Sequence, residues 1–136
     1  MDFAAAAASS EVTVLAWSVV LLLVQVMAQA LATYDLGPWY LAGPRDEGRV
    51  SKNVLAGRLD RALKNLLETY PAFVALALAL VVTGKAGGLG ATGAWIWLAA
   101  RVVYLPLYAA GVPGLRTVAW IVSIVGLVLM LFQLVA

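Results

Sequence analysis

Four long apolar runs fill most of this chain, and they constrain its fold more than any other feature. The first, Val12 to Thr33, is almost uninterrupted. About 22 residues rising about 1.5 Å each reach about 33 Å, enough to cross the hydrocarbon core of a bilayer. The others run from near Arg58 to Thr83, from about Thr92 to Ala110 and from about Leu115 to Ala136, with Gly and Pro punctuating the connections. A chain of 136 residues that is 64% hydrophobic and 12% charged carries more apolar surface than one soluble core needs. The expected fold is therefore all-α: an integral membrane four-helix bundle, a single transmembrane domain over residues 1–136. Its longest polar connection would span about residues 35–57.

The first run is read as a retained span. Ala28-Gln29-Ala30 resembles a signal-peptidase site, but Asp2 and Glu11 precede the run, no Lys or Arg does, and the run exceeds a usual signal-peptide core. Gln25 and Gln29, four apart, are expected to hydrogen-bond between helices. Basic residues set the orientation. Arg45, Arg49 and Lys52, continuing into Arg58, Arg61 and Lys64, follow the first run, whereas the next connection holds only Lys85. The positive-inside rule places the first and third connections in the cytoplasm and both termini outside, as for a bacterial inner-membrane protein. Trp39 and Tyr40, and at the other interface Trp95 and Trp97, suit the aromatic belts.

Several chemistries lack their residues. The chain has neither cysteine nor histidine, so no disulfide, zinc cluster, thiol nucleophile or imidazole base is available. Asp46-Glu47 reads as a solvated loop pair, not a metal site. The basic residues are too few for a nucleic-acid surface. Gly88-Leu89-Gly90-Ala91-Thr92-Gly93 spells a dinucleotide-binding pattern, but no strand precedes it and no acidic residue follows at the needed distance, so it reads as a flexible turn.

The informative polar residues lie inside the second and third runs. At about 100° per residue, Arg58, Arg61, Asn65 and Glu68 fall within an arc of about 80°. Asp60 and Lys64 lie beside that arc as an i, i+4 acid–base pair. Glu68 lies about 15 Å inward from Arg58, where an unpaired carboxylate is costly, so it calls for a buried cation. Arg101 sits in the middle of the third run with Tyr104 and Tyr108 behind it. For antiparallel helices, Arg101 comes level with Glu68, Tyr104 with Asn65 and Tyr108 with Arg61. The expectation is a Glu68–Arg101 charge pair, within one subunit or across an interface, lining a pocket open to the cytoplasm. Arg116, at the start of the fourth run, is either a snorkelling interface arginine or a lid over that pocket.

Arg61-Ala62-Leu63-Lys64-Asn65-Leu66-Leu67-Glu68 with Pro71 and Phe73, together with Arg101, Tyr104 and Tyr108, resembles the MAPEG superfamily, the membrane-associated proteins in eicosanoid and glutathione metabolism. The resemblance covers all four helices, and Val102 to Tyr108 resembles a bacterial branch. It implies a homotrimer with glutathione bound between subunits near the cytoplasmic side. Arg61, Asn65 and Glu68 would hold the charged and amide groups of the tripeptide, with Arg101, Tyr104 and Tyr108 completing the site. Arg116 resembles the family arginine that stabilises the thiolate and is the catalytic candidate. The implied activity is a glutathione-dependent transferase or peroxidase acting on a lipophilic electrophile that arrives from membrane lipid. The alternatives are a non-enzymatic lipid-binding protein and a structural trimer of the same fold.

Overall fold

A computed structural model describes residues 1–136 in full. The chain forms α1 (Phe3–Ala7), α2 (Ser10–Ala32), a 3-10 turn (Tyr34–Leu36), α3 (Pro38–Ala42), α4 (Val54–Val82), α5 (Gly88–Ala109) and α6 (Leu115–Val135). Helices α2, α4, α5 and α6 are each long and apolar enough to cross a membrane. Their outward side chains, among them Trp17, Leu31, Leu67, Val103, Val125 and Phe132, are exposed and apolar. Such an exterior suits lipid and not water. The protein is an integral, multi-pass membrane protein.

Helix α2 buries Glu11, Val14, Ser18, Leu21, Gln25 and Ala32. That spacing alternates three and four residues, the seam of a left-handed bundle. Three seam positions spaced by seven, Glu11, Ser18 and Gln25, are polar. Ser18 Oγ and Tyr70 OH share a hydrogen bond of 2.9 Å with α4. The Gln25 Nε2 is buried without a partner in the chain, so the expected interhelical bond from Gln25 does not form there. Between the helices, Phe73 and Trp97 stack with ring centroids 3.9 Å apart at 2°. Trp97 is 0% exposed and belongs to the core, so of the expected belt pair only Trp95 faces outward.

Two helices begin about a turn earlier than their apolar runs suggest, and in each case a side chain caps the extra turn. At α4, Asn53 Oδ1 accepts from Leu55 N (3.1 Å) while its Nδ2 donates to Ala32 O (3.0 Å), tying the end of α2 to the start of α4. At α5, the buried Glu11 carboxylate accepts from Gly87 N at 2.8 Å. Gly88 to Gly93 is therefore helix, not a flexible turn. Close packing explains its glycines: a Cβ on Gly90 would lie 2.9 Å from Glu11 Oε1 and from Leu80 Cδ1, and one on Gly93 would collide with the carbonyl oxygen of Gly126 in α6. Pro71 and Pro106 lie inside α4 and α5 without ending them.

Candidate functional site

A cavity of about 460 Å³ opens where α4, α5 and α6 meet. Its walls are Arg61, Lys64, Asn65 and Glu68 of α4, Tyr104 and Tyr108 of α5, and Arg116, Thr117 and Trp120 of α6. The volume lies within the range of roughly 300–1,000 Å³ usual for small-molecule sites. Six of the seven residues singled out in the sequence thus border one space, and the seventh, Arg101, stands behind it.

The aromatic pair organises the cations. Tyr104 and Tyr108, one turn apart, have ring centroids 5.6 Å from each other. Arg61 Nε donates to Tyr108 OH at 3.2 Å, and the Arg116 guanidinium lies 4.5 Å from the Tyr108 ring centroid. Tyr108 therefore holds two guanidinium groups from two helices beside the same space. Arg58, on the same arc of α4, does not join them. Its Nη1 donates to Ala109 O at 3.1 Å and closes the end of α5, where Gly111 (φ +73°) leaves it room: a Cβ there would come 2.8 Å from Arg58 Cζ.

The expected Glu68–Arg101 pair does not form within the chain. The ion pairs are Arg49–Glu47 (2.6 Å) and Lys64–Asp60 (2.8 Å, i, i+4). Arg101 Nη1 donates instead to Asn65 Oδ1 at 2.8 Å, and its guanidinium lies 4.5 Å from the Tyr104 ring centroid. Depth is not the reason, since Asn65 and Glu68 differ by less than one turn. Rotation is: three residues at about 100° each turn Glu68 about 60° further from the α4–α5 seam than Asn65. Asn65 reaches the seam, and Glu68 is left exposed on the cavity wall.

The cavity walls carry Arg61, Lys64 and Arg116 against one carboxylate, Glu68. Lys64 is already engaged by Asp60. Such a site suits a ligand with more than one anionic group and a single ammonium, held by guanidinium forks and by a carboxylate. Thr117 and Trp120 were not singled out in the sequence; the spacing of four between Arg116 and Trp120 was the available signal, since it sets Trp120 on the face of Arg116.

A family model described as "MAPEG family" matches residues 11–136. No curated protein and no solved structure is similar enough to count as a match.

Proposed function

Because the chain belongs to the MAPEG family, whose members are glutathione-related membrane transferases and peroxidases or proteins of eicosanoid synthesis, we propose that it is a glutathione-dependent membrane transferase or peroxidase acting on a lipophilic electrophile. The observation that carries this reading is the convergence of Arg61, Asn65, Glu68, Tyr108 and Arg116 on one cavity. Glutathione has two carboxylates, one ammonium, two peptide amides and a thiol. Its carboxylates fit the guanidinium groups, its ammonium fits Glu68, and its peptide groups fit Asn65 and the tyrosine hydroxyls.

The thiol then needs activation. A free cysteine thiol has a pKa of about 8.5 and is mostly protonated at neutral pH; an adjacent guanidinium favours the thiolate, which is the nucleophile. Arg116 is the candidate, because its charge is held over the Tyr108 ring and is not spent on a carboxylate. In the transferase reaction the sulfur forms a bond to an electrophilic carbon of the lipophilic partner, and the proton leaves with the displaced or opened group. In this reading the protein works as a homotrimer with the cavity at a subunit boundary, in a bacterial inner membrane, both termini outside.

The test is equilibrium binding of glutathione to the detergent-purified protein, read together with thiolate ultraviolet absorbance. Saturable binding with a thiolate signal is expected, binding being lost in Arg61→Ala and Glu68→Ala and the thiolate signal in Arg116→Ala. Absence of binding overturns the reading. A second reading, a lipid-binding protein without turnover, draws on the wholly apolar groove of about 330 Å³ between α2 and α5, lined by Trp17, Leu21, Val24, Trp95 and Leu98 among others. Glutathione binding without thiolate formation would favour it.

A further inference from the structure

Arg101 is 1% exposed, and no carboxylate of its chain pairs with it. Its Nε and Nη2 have no partner in the chain, and its Nη1 is spent on Asn65 Oδ1. A guanidinium has donors only, so the side of the Asn65 amide that meets it has to be the oxygen. The reverse orientation would set NH₂ against N–H and leave the buried cation with no acceptor at all. The Asn65 NH₂ is thereby turned away from the α4–α5 seam, on a side chain that borders the cavity.

The consequence concerns what the cavity can read. An asparagine free to rotate presents either a donor or an acceptor and discriminates poorly. Held from behind, it presents a donor. We infer that Arg101 is a positioning residue that fixes the Asn65 amide with its NH₂ toward the cavity, committing that point of the site to an oxygen acceptor of the ligand, a carboxylate or a peptide carbonyl. The inference rests on the glutathione reading and narrows it: Arg101 does not touch the tripeptide but acts on it through Asn65. Glu68 is then the one carboxylate in the wall, and it has no ion-pair partner in its own chain.

The chain has two asparagines, Asn53 and Asn65, so isotopic nitrogen labelling of asparagine yields two side-chain NH₂ pairs in a magnetic resonance spectrum of the full protein in detergent. Asn53 Nδ2 donates to Ala32 O and serves as the protected reference. The Asn65 pair is expected to exchange with water faster than the Asn53 pair and to shift when glutathione is added. Arg101→Met should move the Asn65 pair and weaken glutathione binding about tenfold, the size of one hydrogen bond to a charged acceptor. Arg101→Lys, also a donor-only cation, should restore the Asn65 signal and most of the binding. In an Asn65→Ala background, Arg101→Met should add less than a further twofold, because its effect passes through the missing amide.

A protected Asn65 pair in the wild type, or losses that multiply in the double variant, overturns the inference. Should the wild type bind no glutathione, the functional reading fails instead, and the Asn65 exchange in wild type, Arg101→Met and Arg101→Lys still decides the orientation. If Arg101→Met does not fold, Arg101→Lys and the wild-type exchange carry the decision: a protected Asn65 pair in either overturns the inference.

Discussion

At Glu68 a carboxylate faces the cavity with no ion pair in its own chain, whereas Arg101, on the neighbouring helix, is enclosed and bound to Asn65. The two charges therefore have different jobs, and substitution separates them. Glu68→Gln keeps the shape and removes the charge from a group that stabilises nothing inside the chain. Its thermal melting in detergent should stay near wild type, since surface changes of this kind stay within about 0.5 kcal/mol. Glutathione affinity should fall about tenfold or more, as the ammonium loses a charged acceptor. A large drop in melting temperature with unchanged affinity would show that Glu68 is a structural ion-pair partner, for instance of a neighbouring subunit. Within one chain, the Glu68–Arg101 pairing fails on angle and not on depth, because residue counting gives rise along a helix well but resolves the direction of a long side chain poorly.

Among the helix pairs, α5 and α6 make the most extensive contact, and two glycines let them approach. A Cβ on Gly126 would lie 2.6 Å from Gly93 O and 2.8 Å from Trp97 N. Neither obstacle is a flexible side chain, so the helices would have to separate. That separation would disturb Arg116 and Trp120 on α6 relative to Tyr108 on α5, at one end of the same contact. Gly126→Ala should lower stability by about 1–3 kcal/mol, the usual cost of overpacking, and should weaken glutathione binding as well. Gly114→Ala is the matched control, with nothing within 4 Å of the added carbon. A Gly126→Ala protein that melts with the wild type would sink the close-packing account. This contact also explains what the sequence concealed. Each glycine costs a helix about 1 kcal/mol relative to alanine, so a run from Gly88 to Gly93 looks like a turn by propensity. The compensating terms, a carboxylate from α2 at the start and a carbonyl of α6 against Gly93, come from segments 76 and 33 residues distant in the chain. Trp97 was misplaced in a belt for the same reason: its partner, Phe73, lies on another helix.

The molecule as a whole has one charged end and one nearly uncharged end. The four apolar runs make four long helices legible without any structure, since backbone in lipid has to satisfy itself. The ranking of the helices around the cavity is not legible in that way, because it depends on which faces meet. Charge distribution does bear on how the bundle sits in its membrane. Arg45, Arg49 and Lys52 lie between α2 and α4, Arg58, Arg61 and Lys64 in the first turns of α4, while the connection between α4 and α5 holds Lys85 alone, its Nζ donating to Leu134 O at 2.7 Å. If short basic connections stay in the cytoplasm, the cavity opens toward the glutathione pool of the cell and both termini face away from it. A chain without cysteine permits a clean test, because a single introduced thiol is the only one present. Glu47→Cys lies in the connection after α3 and Ala86→Cys in that before α5, and both positions are exposed. In intact cells a membrane-impermeant maleimide should label Ala86→Cys at once and Glu47→Cys only after permeabilisation. The opposite pattern would turn the cavity away from the cytoplasm, where a thiol peptide held by Arg61 and Arg116 would have to be supplied from outside, and would remove the link between this charge pattern and the proposed co-substrate.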